Sequence, residues 1–374
     1  MPSNRTLGIV CTSAGFGGLE MYTLQMALAL QQKGWAVFML LNTQSRLYEQ
    51  AKHHFPVKTL QDFNSKKNSA SLIKKWNRDG TIPLFFTTFN KDIQALAGYK
   101  RWFHKGAKLV YQQHMKVGVR KKDIIHRLRY KMLDKWITPL AYLRDETLRY
   151  TSVPDSKICI VPLGIDIEKL ARASYSQQAA RNALSLPEEA LLIGVLGRVD
   201  PKKGQDFLIK AIAALRSEDD YHLLIMGNVT EHEGDEWMRE IKRLVASLGV
   251  AQRVHFRPYQ ESVQLFYNAI DVFAMPSHGE TYGLVTLEAM YFKKPVIGVD
   301  TDGTHALLEN GKYGWLYPLE DLAAFKAQLF QVINNTALTH QKVQAAYEQV
   351  LQQYRFESTV ELLDAALKQV IFKK

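Results

Sequence analysis

The architecture of the chain can be worked out from residues 276–290, which read Pro-Ser-His-Gly-Glu-Thr-Tyr-Gly-Leu-Val-Thr-Leu-Glu-Ala-Met. The apolar run Ile270–Met275 precedes this stretch and predicts a buried strand. Pro276 and Gly279 end the strand, and a helix-forming run begins near Tyr282. A strand–loop–helix unit of this kind points backbone N–H groups into a crevice at the carboxyl end of the strand, where anions bind. The stretch therefore predicts an α/β fold with an anion-binding loop.

Two glutamates flank this predicted anion site. Glu280 stands in the loop before the helix, and Glu288 lies about five residues along the helix, roughly 7–8 Å at 1.5 Å per residue. A pyrophosphate on the helix N-terminus near Gly283, Leu284 and Val285 would lie between the two carboxylates. One carboxylate would then face a sugar and the other a ribose. The alternative interpretation is a pair of solvated glutamates on a helix.

Strand-like and helical runs alternate along the chain, which favours α/β architecture with parallel sheets. The predicted strands are residues 7–11, 36–41, 83–87, 108–112, 157–161, 191–196, 222–226, 254–256, 271–274 and 296–299. The predicted helices include 19–32, 124–135 and 140–150, and a last helix follows Phe356. A chain of 374 residues is long for one domain. We place a domain boundary just beyond Pro162-Leu-Gly164, with domains of residues 1–165 and 166–355.

Hydrophobic content, the length of the apolar runs and the number of cysteines indicate a globular protein without a disulfide framework. The hydrophobic content of 47% is that of a globular protein with sizeable cores. No run approaches the roughly 18 apolar residues that cross a bilayer, and the first apolar run, Leu7–Cys11, resembles a strand rather than a signal peptide. Cys11 and Cys159 are too few and too far apart to suggest a disulfide framework. We therefore expect a cytoplasmic protein.

These features resemble the family 4 glycosyltransferases, which are retaining enzymes of the GT-B fold with an E-x7-E motif, here Glu280 and Glu288. Further family-like segments follow in the expected order: Gly194–Arg198, Lys203–Gly204, Leu223–Gly227, Val254–Phe256 and Pro295–Gly298. The first half matches more loosely, through Gly15–Glu20 and Val161–Asp166.

The resemblance implies two Rossmann-like, doubly wound domains that face each other across a cleft. Domain 1–165 would bind the acceptor, and domain 166–355 would bind the nucleotide-sugar. The C-terminal helix, residues 356–374, would pack back on the first domain.

The resemblance also assigns roles to two cations. Arg198 ends a predicted strand, and Lys203 follows five residues later, beside Gly204. The family uses the matching pair to stabilise the negative charge that grows on the leaving phosphate. Each preorganised cation of this kind lowers a barrier by about 2–4 kcal/mol. The alternative is a pair of surface cations.

A glycine-rich loop follows the first predicted strand. Glycine lets the backbone approach a ligand without a Cβ in the way. By resemblance, Gly17 and Gly18 would contact the donor, and Gly15 and Glu20 would contact the acceptor. For Glu20, a favourable interaction with the start of the helix is an equal alternative.

His114 follows the apolar run 109–111 and is the remaining catalytic candidate, beside Glu280, Arg198 and Lys203. Many family members carry a histidine after the matching strand, which contacts the transferred sugar or orients the acceptor. A structural histidine is the alternative.

The resemblance implies a front-face reaction that retains the α configuration of the donor, because no carboxylate is evident as a nucleophile for a double displacement. Glu280 would hold the hydroxyls of the donor sugar, and Glu288 would hold those of the ribose. The amides of residues 283–285 would bind the diphosphate, and the departing phosphate would help to remove the proton of the acceptor.

We expect no metal and no cofactor besides the nucleotide-sugar co-substrate. Asp300-Thr-Asp302 has the D-x-D spacing of metal sites in another fold, but it follows a predicted strand and is expected to be a loop. Residues 231–233, Glu-His-Glu, are expected to be a solvated helix start.

In the loop after the predicted strand 296–299, the family often has the sequence Gly-Gly-x-x-Glu. This chain has Asp302-Gly-Thr-His-Ala306, so the acid is missing and the first glycine is replaced by Asp.

The net charge of +11 is concentrated in residues 99–136, where twelve Lys and Arg residues face Asp123 and Asp134 alone. Apolar residues in this segment fall close to helical spacing: Ile124, Ile125, Leu128, Met132 and Trp136. Residues 116–136 therefore predict a basic amphipathic helix on an anionic membrane surface, where each cation contributes about 1 kcal/mol. The alternative is a helix whose apolar stripe faces the core. Nucleic acid is not expected, because aromatic residues are not interleaved with the cations.

The leading functional hypothesis is a retaining glycosyltransferase that acts on a glycan or lipid-linked glycan in cell-surface polysaccharide or lipopolysaccharide biosynthesis. It would be cytoplasmic or peripheral on the inner face of the membrane. One alternative is a sugar-nucleotide epimerase of the GT-B fold. Another is a catalytically silent nucleotide-sugar binder.

Overall fold

A computed structural model describes residues 5–15, 17–60, 69–215, 220–229 and 234–372. The chain forms two units, with a boundary between Pro162 and Leu163. We call Met1–Pro162 together with Glu357–Lys374 the N-terminal unit, and Leu163–Phe356 the C-terminal unit.

The N-terminal unit is built on one parallel sheet. Its described strands are β1 (Thr6–Cys11), β2 (Ala36–Asn42), β3 (Val57–Leu60), β4 (Leu84–Thr87), β5 (Lys108–Gln112), β6 (Lys135–Thr138) and β7 (Ile158–Ile160). Its described helices are α1 (Gly18–Gln32), α2 (Arg46–Ala51), α3 (Ser69–Trp76), α4 (Asp92–Trp102), α5 (Ile124–Lys131), α6 (Ala141–Tyr150) and α16 (Phe356–Phe372). The strand order is β3-β2-β1-β4-β5-β6-β7. The winding direction reverses between β1 and β4, and ligands of doubly wound sheets bind at such a reversal.

The C-terminal unit repeats this plan. Its described strands are β8 (Leu191–Leu196), β9 (Tyr221–Met226), β10 (Val254–Arg257), β11 (Val272–Met275), β12 (Val296–Val299) and β13 (Trp315–Tyr317). Its described helices are α7 (Ile167–Ala171), α8 (Gln177–Ala183), α9 (Gln205–Ala214), α10 (Gly234–Ser247), α11 (Val263–Ala269), α12 (Leu284–Tyr291), α13 (Asp302–Leu307), α14 (Leu322–Asn334) and α15 (Thr336–Gln353). The strand order β10-β9-β8-β11-β12-β13 reverses between β8 and β11, so these two strands carry the expected ligand site at their carboxyl ends.

The α/β, doubly wound prediction is confirmed in each unit, and every predicted strand is present to within about a residue at either end. Parallel strands buried on both faces read as continuous apolar runs, which is why these segments could be recognised. Three short strands were not predicted: β3, β6 and β13.

The prediction of a helix over 124–135 is wrong at its C-terminal end, because α5 ends at Lys131 and Lys135 begins β6. Trp136, predicted on the apolar stripe of the helix, is 1% exposed and pairs with Tyr111 of the neighbouring strand. Its ring packs against those of Tyr111 and Tyr130, at centroid distances of 4.8 and 5.3 Å. Burial of this indole together with the β5–β6 pairing outweighs one more turn of helix.

Candidate functional site

The loops after β8 and β11 hold the candidate donor-binding residues of the C-terminal unit. Arg198 follows β8 and is exposed. Lys203 is the last residue of a one-turn 3-10 helix, Pro201–Lys203. The carboxylate of Asp200 accepts the backbone N–H of Lys202 at 2.9 Å and so fixes the start of this turn. Glu280 lies in the loop after β11. The reversal of the sheet therefore brings together two loops that are far apart in sequence.

The centre of the candidate site is an ion pair between these loops. Lys203 Nζ donates to Glu280 Oε2 at 2.6 Å, and the two side chains are 28% and 19% exposed. An ammonium group has three N–H donors, so Lys203 can bind a phosphate oxygen and keep Glu280 as a partner. The pair places a cation and a carboxylate side by side at the carboxyl edge of the sheet.

Backbone contacts hold the two loops together beside the ion pair. Gly204, which follows Lys203, has φ +69°, and a Cβ built there would lie 2.5 Å from the carbonyl oxygen of Pro276. The N–H of His278 donates to the carbonyl of Lys202 at 2.8 Å. Only glycine fits both the left-handed conformation and this close approach. The position of Lys203 relative to the Glu280 loop is thus set by the backbone.

The helix start expected near Tyr282 lies at Leu284, where α12 begins after Gly283 with φ +90°. The first N–H groups of a helix have no partner inside the helix. The amides of Gly283, Leu284 and Val285 therefore belong to the predicted anion-binding edge, next to Glu280 in sequence. Glu288 lies on α12, as the spacing predicts.

Glu288 is half-buried and bound to a neighbouring helix. Its Oε2 accepts a hydrogen bond from Tyr267 Oη at 2.8 Å. Burial raises the pKa of the Glu288 carboxyl to about 7, against smaller lowering effects from Tyr267 and Lys169. This carboxyl group therefore titrates close to neutral pH.

The backbone of Arg198 is fixed from within the unit. The side chain of Gln205, which is 1% exposed at the start of α9, donates from Nε2 to the carbonyl of Arg198 at 2.8 Å. A buried amide of α9 thus holds the backbone at Arg198, the first residue of the segment 198–203 that carries both candidate cations.

A cavity of about 390 Å³ lies at the carboxyl ends of β8, β9 and β10. Its lining includes Val199, next to Arg198, together with Gly227, Asn228, Phe256 and Pro258. The lining combines apolar side chains with the cationic residues Lys242 and Arg257 and with the amide of Asn228, whose Oδ1 accepts the N–H of Tyr259 at 3.1 Å. Its volume falls within the range of small-molecule pockets.

The loop after β12 differs from the expected loop because Asp302 begins helix α13. Asp302 has φ +53°, a conformation that glycine adopts most easily. The N–H of Gly303 donates to the carbonyl of Glu280 at 2.9 Å. The segment is therefore anchored to the Glu280 loop even though its sequence departs from the family pattern.

In the N-terminal unit, the glycine loop after β1 is held by Glu20. Its Oε2 accepts the N–H of Gly17 at 2.9 Å, and Glu20 is 7% exposed. Glu20 therefore stabilises the start of α1, which begins at Gly18. This is one of its two anticipated roles, whereas acceptor contacts from Glu20 and Gly15 and donor contacts from Gly17 and Gly18 stay predictions.

His114 follows β5 and is half-buried. Burial lowers the pKa of its imidazole to about 4, so the ring is neutral at physiological pH. The ring packs edge-on against Tyr22 with a centroid distance of 5.4 Å. Its Nε2 is buried and has no hydrogen-bond partner in the part of the chain that the structure describes. A neutral His114 can exchange a hydrogen bond with a ligand, but it cannot act as a cation.

The surface of α5 carries exposed apolar side chains. Ile124, Ile125 and Leu128 are 73%, 69% and 45% exposed, and Met115 and Val119 just before them are also exposed. The interpretation in which the apolar stripe faces the core is therefore wrong for these residues. Met132 and Trp136, which complete the predicted stripe, do pack into the core.

Over the described residues, no group of three or more His, Cys, Asp or Glu is arranged to hold a metal ion. Within the same ranges, no helix has the length and apolar character needed to cross a membrane. Residues 231–233, the predicted helix start, lie outside the described residues.

Sequence reasoning missed Tyr267 and Gln205. Each lies inside a helical run, Tyr267 in α11 and Gln205 in α9, where an aromatic or amide residue is an ordinary core or surface residue. Only the three-dimensional contact with Glu288 or Arg198 distinguishes them.

Two family models match the chain. Residues 16–169 match the model described as Glycosyltransferase Family 4, and residues 176–349 match Glycosyl transferases group 1. The D-inositol 3-phosphate glycosyltransferase of Streptomyces avermitilis is 30% identical over 219 residues, which are 57% of this chain and 47% of that protein. The chain spans about half the length of the curated relatives it matches.

Solved structures match over the whole chain. A glycosyltransferase from Rickettsia africae superposes with a TM-score of 0.88 at 17% identity and covers 100% of both chains. HepE of Anabaena in complex with UDP superposes with a TM-score of 0.85 at 19% identity. The match covers 98% of this chain and 100% of HepE. HepE in complex with UDP-glucose superposes with a TM-score of 0.81 at 19% identity, and the match covers 97% of this chain and 99% of HepE. These likenesses establish the fold.

Proposed function

The chain belongs to family 4 of the glycosyltransferases, and from this premise we propose that it is a retaining enzyme acting on a nucleotide-sugar donor. The acceptor is a glycan or lipid-linked glycan. The observation that carries the proposal is the 2.6 Å ion pair between Lys203 and Glu280 at the carboxyl ends of β8 and β11.

In the proposed reaction, the bond between the anomeric carbon and the β-phosphate oxygen breaks. A bond to the acceptor oxygen forms on the same face, so the α configuration is kept. The departing phosphate oxygen takes the acceptor's proton. Lys203, Arg198 and the amides at the start of α12 stabilise the negative charge that develops on the diphosphate.

Each carboxylate has a distinct proposed role. Glu280 accepts hydrogen bonds from hydroxyls of the transferred sugar, beside the ammonium of Lys203. Glu288 accepts hydrogen bonds from the ribose. His114, neutral because burial lowers its pKa to about 4, is proposed to exchange a hydrogen bond with the transferred sugar.

The cavity beside Arg198 is the proposed place for the nucleobase. Val199 and Phe256 offer apolar contact, and Asn228 offers hydrogen-bonding groups. HepE, which shares the fold, has been solved with UDP and UDP-glucose. Uridine donors are therefore the first to test.

We further propose that the α5 surface, defined as residues 115–128, docks on an anionic lipid bilayer. Exposed Ile124, Ile125 and Leu128 supply the apolar contact. The basic side chains of Arg120 and Arg127 lie among them on the same short segment, and both are exposed. Exposed apolar and basic side chains on one segment suit a surface of acyl chains beneath negatively charged headgroups. Such a location suits a lipid-linked acceptor in cell-surface polysaccharide or lipopolysaccharide synthesis.

A panel of UDP-, GDP- and ADP-sugars tests the function. We expect one donor class to raise the thermal midpoint and to be hydrolysed slowly without acceptor. The released sugar should be the α anomer when observed by NMR before mutarotation. Release of the β anomer would contradict retention, and interconversion of the donor without hydrolysis would identify an epimerase. Binding without turnover in the presence of glycan acceptors would favour a silent binder.

A further inference from the structure

Tyr267 of α11 is a buried tyrosine whose hydroxyl reaches the Glu288 carboxylate. It is 0% exposed, and its Oη lies 2.8 Å from Glu288 Oε2 and 3.1 Å from the carbonyl oxygen of Val285. A phenol has one hydrogen to donate, and the shorter contact is to the carboxylate. The hydroxyl thus links α11 directly to the first two turns of α12.

Aromatic packing fixes the ring that carries this hydroxyl. The rings of Tyr267 and Phe292 stack at 5.0 Å with an interplanar angle of 9°, and Phe266 packs edge-on at 5.1 Å. With the ring held on these sides, the hydroxyl has little freedom to leave Glu288. The contact is therefore preorganised by the fold.

We propose that Tyr267 is a positioning residue that holds the Glu288 carboxylate in place for the donor ribose. The inference rests on the proposed function, because it takes Glu288 as the ribose-binding group. A carboxylate can accept about four hydrogen bonds. With Oε2 bound to Tyr267, Oε1 is directed to the ribose hydroxyls.

The electrostatics around Glu288 give this role a measurable signature. Burial raises the pKa of Glu288 to about 7, while the Tyr267 hydrogen bond and the charge of Lys169 lower it. The same carboxylate acts on Tyr259, which lies on the loop after β10. The pKa of Tyr259 is raised by burial and, to a smaller extent, by the charges of Glu288 and Glu261. Burial and Glu288 also raise the pKa of Tyr267 well above its ordinary value, so Tyr267 stays protonated and remains a donor.

Removal of the Tyr267 hydroxyl raises the pKa of Glu288 further, because a hydrogen bond to the charged form is lost. The ionised fraction at pH 7 then falls. Ribose binding should weaken most near neutral pH and recover at higher pH, where Glu288 is ionised in both proteins.

The test is Tyr267→Phe, which keeps the ring and its stacking on Phe292. We expect its Kd for the nucleoside diphosphate that binds best, chosen from UDP, GDP and ADP, to rise about tenfold at pH 7, in line with a lost hydrogen bond to a charged group. Calorimetric titrations from pH 6 to pH 9 should show the midpoint of the pH dependence shifted upward. In turnover assays, the donor KM should rise while kcat changes little.

Two further variants separate positioning from packing. Tyr291→Phe alters a half-buried tyrosine of α12 whose ring contacts Tyr347, and it should leave Kd and the pH midpoint unchanged. In a Glu288→Ala background, which leaves no acceptor at residue 288 for Tyr267 to position, Tyr267→Phe should have no further effect on Kd.

Three outcomes would overturn the inference. The first is an unchanged pH midpoint in Tyr267→Phe, and the second is an effect of Tyr267→Phe on Kd that persists in the Glu288→Ala background. In both cases nucleotide binding by the unaltered protein leaves the proposed function standing. Failure of the unaltered protein to bind any of the three nucleotides would overturn the proposed function and this inference together.

Discussion

Lys203 Nζ and Glu280 Oε2 lie 2.6 Å apart and join the turn after β8 to the loop after β11. The two lie 77 positions apart in sequence, and the reversal of the sheet brings them together. Because backbone contacts of Gly204 and His278 hold the same two loops, the ion pair occupies a preformed position. A preformed cation can stabilise a developing charge without reorganisation.

Lys203→Ala should lower kcat/KM about 10²–10³-fold, the usual effect of removing one preorganised electrostatic group. The fold should persist, because the turn is held by Asp200 and Gly204. Steady-state kinetics with the donor from the panel, together with circular dichroism, will measure both. The matched control is Lys202→Ala, which removes the exposed neighbouring lysine and should retain activity. Equal activity of Lys203→Ala and the parent would refute the phosphate role.

Substitutions on the α5 surface should reduce binding to vesicles that contain phosphatidylglycerol. Arg127→Gln should weaken binding about fivefold, since a cation near an anionic surface contributes about 1 kcal/mol. Ile124→Ser with Ile125→Ser should weaken it further, because both side chains are more than two-thirds exposed. Arg129 is left unchanged, because it donates to Asn90 and Tyr130.

Co-sedimentation with vesicles measures this binding. Arg239→Gln on α10 is the control for charge, and Leu362→Ser on α16, which is 47% exposed, is the control for apolar exposure. If the controls and the α5 variants sediment alike, α5 is not the docking surface.

Gly204→Ala should destabilise the protein more than Gly249→Ala. Both glycines have a positive φ, +69° and +68°, so each alanine incurs a left-handed conformational cost of about 1–2 kcal/mol. At Gly249 a Cβ meets no described atom within 4 Å, whereas at Gly204 it lies 2.5 Å from the Pro276 carbonyl oxygen. The added clash should cost about 1–3 kcal/mol more. Denaturant midpoints will measure the difference. Equal midpoints would mean that the loop containing Pro276 moves away from the added Cβ without a cost in stability.

The free energy of unfolding should fall as pH drops from 6.5 towards 4, in part because of His255. Burial, with the charges of His222 and Arg257, lowers the pKa of His255 from 6.5 to about 4. In this window the unfolded chain binds a proton that the folded chain does not, so stability is lost as pH falls. His255 Nε2 lies 2.8 Å from His222 Nδ1, and the rings stack at 5.1 Å.

His255→Gln should flatten this part of the pH profile, because glutamine does not titrate. His340→Gln on α15, an exposed histidine, is the control and should leave the slope unchanged. Thermal unfolding at half-unit pH intervals measures the slope. A slope in His255→Gln as steep as in the parent would show that other groups carry it.

Sequence reasoning succeeded where burial leaves a periodic or continuous signature. The apolar runs of β8 and β12 are followed by Gly197 and Asp300, and both strands were predicted with their observed bounds. The strand β6 was missed because Trp136 follows Met132 at helical spacing and no glycine or proline separates them. The carboxylate of Asp134 accepts the N–H of Leu109 on β5 at 2.7 Å, a long-range contact that no local pattern reveals. The strand β13 has three residues, too few to show a period.

Some residues of the candidate site could be recognised from the sequence, whereas others depend on contacts between distant parts of the chain. Glu280 and the glycines follow predicted strands, so their positions in loops could be anticipated from the apolar runs before them, whereas the roles assigned to Glu280 and Lys203 came from the resemblance to the family. Tyr267 acts through a contact with Glu288, 21 residues along the chain, which depends on how two helices pack. The protonation of Glu288 also depends on that packing, because burial is the main cause of its raised pKa.

The return of α16 to the N-terminal unit has a consequence for synthesis on the ribosome. The indole Nε1 of Trp35 donates to Asp364 Oδ1 at 2.8 Å, in a buried bond between residues 329 positions apart. Chains emerge from their N-terminus, so the C-terminal unit is translated in full before this bond can form. A nascent chain that stops at Phe356 leaves Trp35 and the apolar surface under α16 uncovered, and chaperones that bind exposed apolar segments would then have a target.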